Sequence, residues 1–115
     1  MQEWPSAVIS GDGKYRYFLA RRWGSTGKTV AFIGLNPSTA DATLDDPTIR
    51  RCVGFAKFWG GSALHMVNLF ALRSPTPASL RVASDPIGPQ NDAWLTRVVA
   101  EATWLLPRGA TTANS

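Results

Sequence analysis

The run Thr29-Val30-Ala31-Phe32-Ile33 constrains this chain more than any other segment. Five consecutive strand formers without polar alternation suit a strand covered on both faces, as in a parallel sheet packed between helices. The segment after it is equally well defined. Gly34-Leu35-Asn36-Pro37-Ser38-Thr39-Ala40-Asp41 is a polar turn, and Asp45-Asp46-Pro47 is a helix start. An Asp caps the helix there, and Pro occupies the first turn, where its missing N–H is not needed. Ile49, Cys52, Val53, Ala56 and Trp59 then recur at helical spacing, with Arg50, Arg51 and Lys57 on the other side, until Gly60-Gly61 ends the helix. Ala63–Phe70 reads as a second buried strand.

Around this centre the pattern is looser. Tyr15–Trp23 alternates aromatic or apolar residues with basic ones and is expected to pair with Thr29–Ile33 as an antiparallel hairpin across the Gly24–Lys28 turn. Pro75, Pro77, Pro86 and Pro89 mark a long connection with one helical turn at Ala78–Ala83. A last helix starts near Pro89 and carries Trp94, Leu95, Val98, Val99 and Ala102 on one face. Thr103–Leu106 begins a third strand that Pro107-Arg108-Gly109 interrupts, and Ala110–Ser115 is small, polar and disordered in character. The expectation is one α/β domain over residues 1–106 with a tail at 107–115. Its architecture is a small three-layer parallel sheet with an added antiparallel N-terminal hairpin strand. So short a parallel sheet leaves an exposed edge and an incompletely covered core, as if a segment were missing.

Composition excludes several classes. At 115 residues and 44% apolar content there is material for one modest core. No apolar run approaches the roughly 20 residues that span a bilayer. Met1–Pro5 has neither the basic start nor the apolar stretch of a signal peptide, and the single Cys52 makes no internal disulfide, so no membrane association and a cytoplasmic location are expected. The net charge is +4, and Lys14, Arg16, Arg21, Arg22 and Lys28 share a stretch without an acidic residue. Such a stretch attracts nucleic acid or a nucleotide through its phosphates. Its plain structural reading is a solvated strand face. Nothing in the pattern speaks to oligomeric state.

In open α/β sheets, ligands bind beyond the carboxyl ends of the strands, which here carry Gly34–Asp41 and Asn68–Ser74. Asn36 precedes Pro37 and is held extended at a strand tip, where its amide both donates and accepts. Ser38 and Thr39 turn the chain and expose backbone N–H groups suited to an anion or a base edge. A connecting turn has the same composition. Asp45 and Asp46 read as helix-capping residues, whereas Asp41 has no evident structural task and is the candidate functional carboxylate. His65 reads as a core histidine and Cys52 as a packing residue. One His and one Cys do not make a zinc site, and no spacing of Asp41, Asp45 and Asp85 favours magnesium, so no metal or cofactor is expected. The loop also lacks the glycines and lysine of a phosphate-binding loop. Arg73 follows the second strand closely enough to reach the rim.

Taken together, Gly34–Asp41, Asp45–Cys52, Asn68–Arg73 and Asp85–Pro89 with Asn91-Asp92 closely resemble an uncharacterised bacterial domain family of the phage- and plasmid-associated kind. That resemblance spans roughly residues 15–102 and implies no activity. Gly34-Leu35-Asn36-Pro37 also looks like the Gly-Ile-Asn-Pro motif of mismatch-type uracil/thymine DNA glycosylases, and Asn68–Pro75 resembles their second-strand segment. This second resemblance implies a uracil-DNA-glycosylase-like fold, with Asn36 positioning the attacking water and Pro37 and Ser38 shaping a base pocket. The chain departs from both patterns after Ala102, where both families continue with a further functional segment, so against them it reads as a C-terminally truncated or frame-shifted member, inactive for want of half its site. The sequence therefore points to catalytic Asn36 and Asp41 and substrate-binding Gly34, Pro37, Ser38, Thr39, Asn68 and Arg73. The function it implies is nucleic-acid- or nucleotide-directed hydrolysis. A non-catalytic binding module and a non-functional fragment are the alternatives.

Overall fold

The computed structural model describes residues 4–74, 76–102 and 104–107, so the expected tail beyond Pro107 lies outside the described residues. The elements are β1 (Ala7–Ile9), β2 (Arg16–Arg22), β3 (Lys28–Gly34), α1 (Pro47–Phe58), β4 (Gly61–Asn68), α2 (Pro77–Val82), α3 (Asn91–Glu101) and β5 (Trp104–Pro107). The strands form one mixed sheet in the order β1-β2-β4-β3-β5. β3 runs parallel to both β4 and β5, while β2 is antiparallel to β4 and β1 antiparallel to β2.

The expected hairpin between the segments of β2 and β3 does not form. β4 lies between them, pairing Leu19 with Met66 on one edge and Phe32 with Met66 on the other. All eight residues of β4 are buried, so its backbone groups need partners along both edges. The link from β2 to β3 passes over the start of β4 instead of folding back. Trp23 and Gly24 donate backbone N–H groups to Ser62 O at 3.0 and 3.2 Å, and Trp23 Nε1 donates to Gly61 O at 2.9 Å. A Cβ at Gly24 would sit 3.0 Å from Ser62 Cβ, and Gly27 adopts φ +108°, so this crossing needs its glycines. The third strand also runs further than expected. β5 includes Pro107, which pairs with Ile33 in an outermost strand, where a missing N–H is tolerated.

Helices cover both faces. On one side Ile49, Cys52 and Ala56 of α1 pack on Leu19, Val30, Phe32, Leu64 and Met66. On the other, Val98 of α3 packs on Phe18, Ala31 and Val67, flanked by Trp94 and Leu95. The chain is thus a three-layer α/β fold, with the predicted helix start confirmed at Asp46, whose Oδ1 accepts from Ile49 N at 2.8 Å. No helix among the described residues is long and apolar enough to cross a membrane.

Candidate functional site

The two strand ends predicted to share a rim do so. Gly34 and Asn68 are register partners at the ends of parallel β3 and β4. The pairing continues into the loops, with Leu69 N donating to Gly34 O and Phe70 N to Leu35 O, both at 2.9 Å. Asn91, read from sequence as a helix-start residue, reaches across to this rim. Its Nδ2 donates to Asn68 O at 2.9 Å and Leu69 O at 3.1 Å, fastening the end of β4 to α3. Asn36 ties the two rim loops together by donating Nδ2 to Ser74 O at 3.1 Å. With its N–H₂ so engaged, the group Asn36 retains for a ligand or a water is the acceptor oxygen Oδ1.

Beneath this rim lies a cavity of about 220 Å³ lined by Arg16, Leu35, Asn36, Ser38, Asp46, Thr48, Ile49, Met66 and Asn68. Arg16 is its centrepiece and was not among the residues expected there. The basic stretch had suggested a solvated face, yet Arg16 is only 3% exposed. Its NH1 donates to Ala40 O at 2.9 Å, and its Nε has no partner. Burial lowers its pKa to about 10 against the opposing charge of Asp46, so it stays cationic at neutral pH. Among the described residues no carboxylate approaches it within ion-pair distance. Asn68, also 3% exposed, leaves its Nδ2 unpartnered as well. Arg16 and Asn68 thus each carry one buried donor atom without a partner, which is costly, and both residues line one cavity.

A bulge aims Arg16. Val8 pairs with Phe18, but Ile9 pairs with Arg16, so β2 carries Tyr17 as an extra residue. Phe18 stacks on Trp94 of α3 at 5.1 Å, and Tyr17 lies against Gly88 just ahead of that helix. Arg16 instead faces Ile49 and Met66 on the α1 side. Strict alternation would have placed it with Phe18. The sequence does carry a signal: Tyr17-Phe18-Leu19 breaks the alternation of β2 one step after Arg16.

Asp46 does more than cap α1. Its Oδ2 accepts from Thr39 N at 3.1 Å and Ala40 N at 2.9 Å. Burial pushes the carboxyl up, but the bonds from Ile49, Ala40 and Thr39 and the charge of Arg16 outweigh it and hold the group below its ordinary value. The backbone N–H groups of Thr39 and Ala40 are therefore occupied by the chain's own carboxylate. They are not presented to an anion, contrary to the sequence expectation. Asp41 likewise has a structural task. Its Oδ1 accepts from Thr43 N at 2.9 Å and Leu44 N at 2.8 Å, closing a turn, and these bonds lower its pKa.

A second cavity, of about 400 Å³, lies on the other side of the Asn36–Ser38 segment, lined by Asn36, Pro37, Ser38, Thr39, Arg73 and Ser74. The predicted site residues thus divide between two adjoining spaces. Asn68 belongs to the first, Pro37, Thr39 and Arg73 to the second, and Asn36 and Ser38 to both. Gly34 is buried and contributes its backbone, while Asp41 lines neither.

The remaining candidates are placed elsewhere. Asp45 pairs with Arg21 at 2.8 Å, and Asp85 accepts from Gly88 N at 3.0 Å. Among the described residues no three His, Cys, Asp or Glu side chains converge. Cys52 is buried in the α1-side core. His65 lies on the opposite face from the cavity, 4.4 Å from the Trp4 ring and 5.0 Å from Phe18 between centroids, and burial with the charges of Arg22 and Arg97 lowers its pKa to about 4.

The chain belongs to the family described as a protein of unknown function (DUF1643), whose pattern matches residues 16–107. The matched span includes Arg16, Asn36, Asp46, Asn68, Arg73 and Asn91. No curated protein and no solved structure matches the chain.

Proposed function

We propose that this protein is a nucleotide-directed hydrolase that breaks an N-glycosidic bond, with a nucleobase seated in the cavity beneath the β3–β4 rim. The observation that carries the reading is the pair of buried donors without partners, Arg16 Nε and Asn68 Nδ2, both on residues that line a cavity Asn36 also lines. A pyrimidine offers carbonyl oxygens to such donors. As its bond to the sugar breaks, the electron pair moves onto the base, and the negative charge that develops there favours a fixed, dry cation. Arg16 supplies that cation without needing to move into place.

In this reading Asn36 Oδ1 accepts a hydrogen bond from the water that attacks the sugar carbon. The C–N bond breaks, a C–O bond forms, and the water's proton ends on the departing base, so atoms and charge balance. The likeness of Gly34-Leu35-Asn36-Pro37 to the glycosylase motif supports this assignment, and with it a glycosylase-like arrangement of the sheet. The base would be read by amide and guanidinium groups in the cavity, as enzymes acting on extruded bases do. The test is release of free base by the purified chain from uracil- or mismatch-containing DNA and from pyrimidine nucleotides. Asn36→Ala abolishes release, and binding without release sinks the hydrolase reading.

One observation favours a second reading, a non-catalytic nucleotide-binding module. Among the described residues no carboxylate or imidazole free to move a proton lines the first cavity. Asp46 is committed to three backbone N–H groups, and His65 is on the other face. Saturable nucleotide binding that Arg16→Met removes, with no base released, selects this module.

A further inference from the structure

The second cavity has a chemistry of its own. Arg73 is half-buried on its wall, belongs to neither of the two ion pairs among the described residues, and makes only a marginal 3.5 Å bond to Gly13 O. Its charge is felt at both Arg16 and Asp41, which places a poorly neutralised cation beside the rim. Exposed Ser38 and Thr39, each with a hydroxyl donor, line the same space. One cation with hydroxyl donors suits a phosphate, whose oxygens accept several charge-assisted hydrogen bonds at once.

The arrangement of the two cavities gives that phosphate a fixed relation to the base. They meet at Asn36 and Ser38, so a ligand filling both crosses the rim at the residue to which the attacking water is assigned. A base in the first cavity, its sugar at Asn36 and a phosphate in the second are laid out in the order in which a nucleotide joins them.

The cations that would track a longer polyanion are largely committed elsewhere. Arg16 is inside, Arg21 is held by Asp45 and by Asp41 O and Leu44 O, and Arg22 donates to Gly24 O. A single phosphate is what the rim is equipped to neutralise.

We infer that the second cavity is a phosphate subsite centred on Arg73, and that the substrate is a pyrimidine nucleoside monophosphate rather than a nucleoside or a long strand. This rests on the base-in-cavity reading above, and the experiment separates the two. Isothermal titration of the full chain with uridine, uridine 5′-monophosphate, inorganic phosphate and single-stranded oligouridylates of increasing length provides the arms. The monophosphate binds about ten- to a hundredfold more tightly than uridine, the increment of hydrogen bonds to a charged group. Arg73→Gln removes that difference and leaves uridine affinity unchanged. It also abolishes the weak binding of inorganic phosphate, and urea denaturation run beside the titration checks that the variant keeps its fold.

If uridine fails to bind while phosphate binds in an Arg73-dependent way, the base reading falls and the phosphate subsite stands. If the phosphate group adds nothing, or Arg73→Gln weakens uridine and its monophosphate alike, the subsite is overturned. Affinity that climbs with oligonucleotide length and falls steeply with salt overturns the monophosphate assignment in favour of a strand.

Discussion

The sheet buries an ionisable group on each of its faces, and the two are handled in opposite ways. His65 on β4 faces α3 and is enclosed by Trp4 and Phe18, with burial keeping it neutral. Arg16 on β2 faces α1, stays charged, and lines an open cavity with a donor unused. Burial alone therefore does not mark function. The histidine is closed in by neighbouring rings, while the arginine lacks a partner that something from outside can supply.

The largest effect that tests this contrast is expected at the cavity. Arg16→Met should weaken nucleotide binding by about tenfold to a hundredfold, while unfolding free energy changes by no more than about 1 kcal/mol, because the loss of the bond to Ala40 O is offset by removal of a buried unpaired charge. Titration calorimetry beside chemical denaturation reads both. A large stability loss with intact binding would reverse the contrast.

Asp46→Ala should come next, lowering stability by about 2–3 kcal/mol, since it uncaps α1 and strands two loop N–H groups. Urea denaturation measures it, and the loss should also loosen the rim and weaken ligand binding.

On the other face the effect is confined to acid. The folded pKa of His65 is depressed, so the unfolded chain binds its proton first. Stability is then fully present above pH 6.5 and declines as pH falls toward about 4. His65→Leu should remove that decline, on the order of 2 kcal/mol at pH 4.5, without altering nucleotide affinity at neutral pH. Melting curves from pH 7 to 4.5 decide it. A change in affinity at pH 7 would mean the two faces are coupled.

The smallest effect is predicted at Asp41. Asp41→Asn keeps the turn-closing oxygen and should leave base release within about twofold of the parent. A loss as great as that of Asn36→Ala would return Asp41 to the reaction.

Local signals in the sequence proved dependable where local physics decides the outcome. Asp46-Pro47 marked the start of α1 because cap and proline act within one turn. The apolar content of β3 and β4 marked them as buried strands, and their polar ends located the rim. The pairing of β2 was not legible, because a short link suggests a hairpin while the demand of β4 for two paired edges arises elsewhere in the chain. β1, at three residues, is too short for periodicity to reveal. Of the residues lining the two cavities, Asn36, Ser38, Asn68 and Arg73 were proposed from the strand ends. Arg16 was missed because a count of charges gives no side-chain direction, and Asn91 because its hydrogen bonds are to another element.

The extra residue in β2 makes the site depend on backbone shape as much as on chemistry. A regular strand is a parity device: each residue added or removed exchanges the faces for everything beyond it. The bulge absorbs one residue of that count, so Arg16 and Phe18 fall on opposite faces although Tyr17 stands between them. Deleting Tyr17 would straighten the ladder, with Arg16 still in register with Ile9 and its guanidinium still on the α1 face. Position 17 is therefore the one place in this strand where the loss of a residue should leave the direction of Arg16 unchanged.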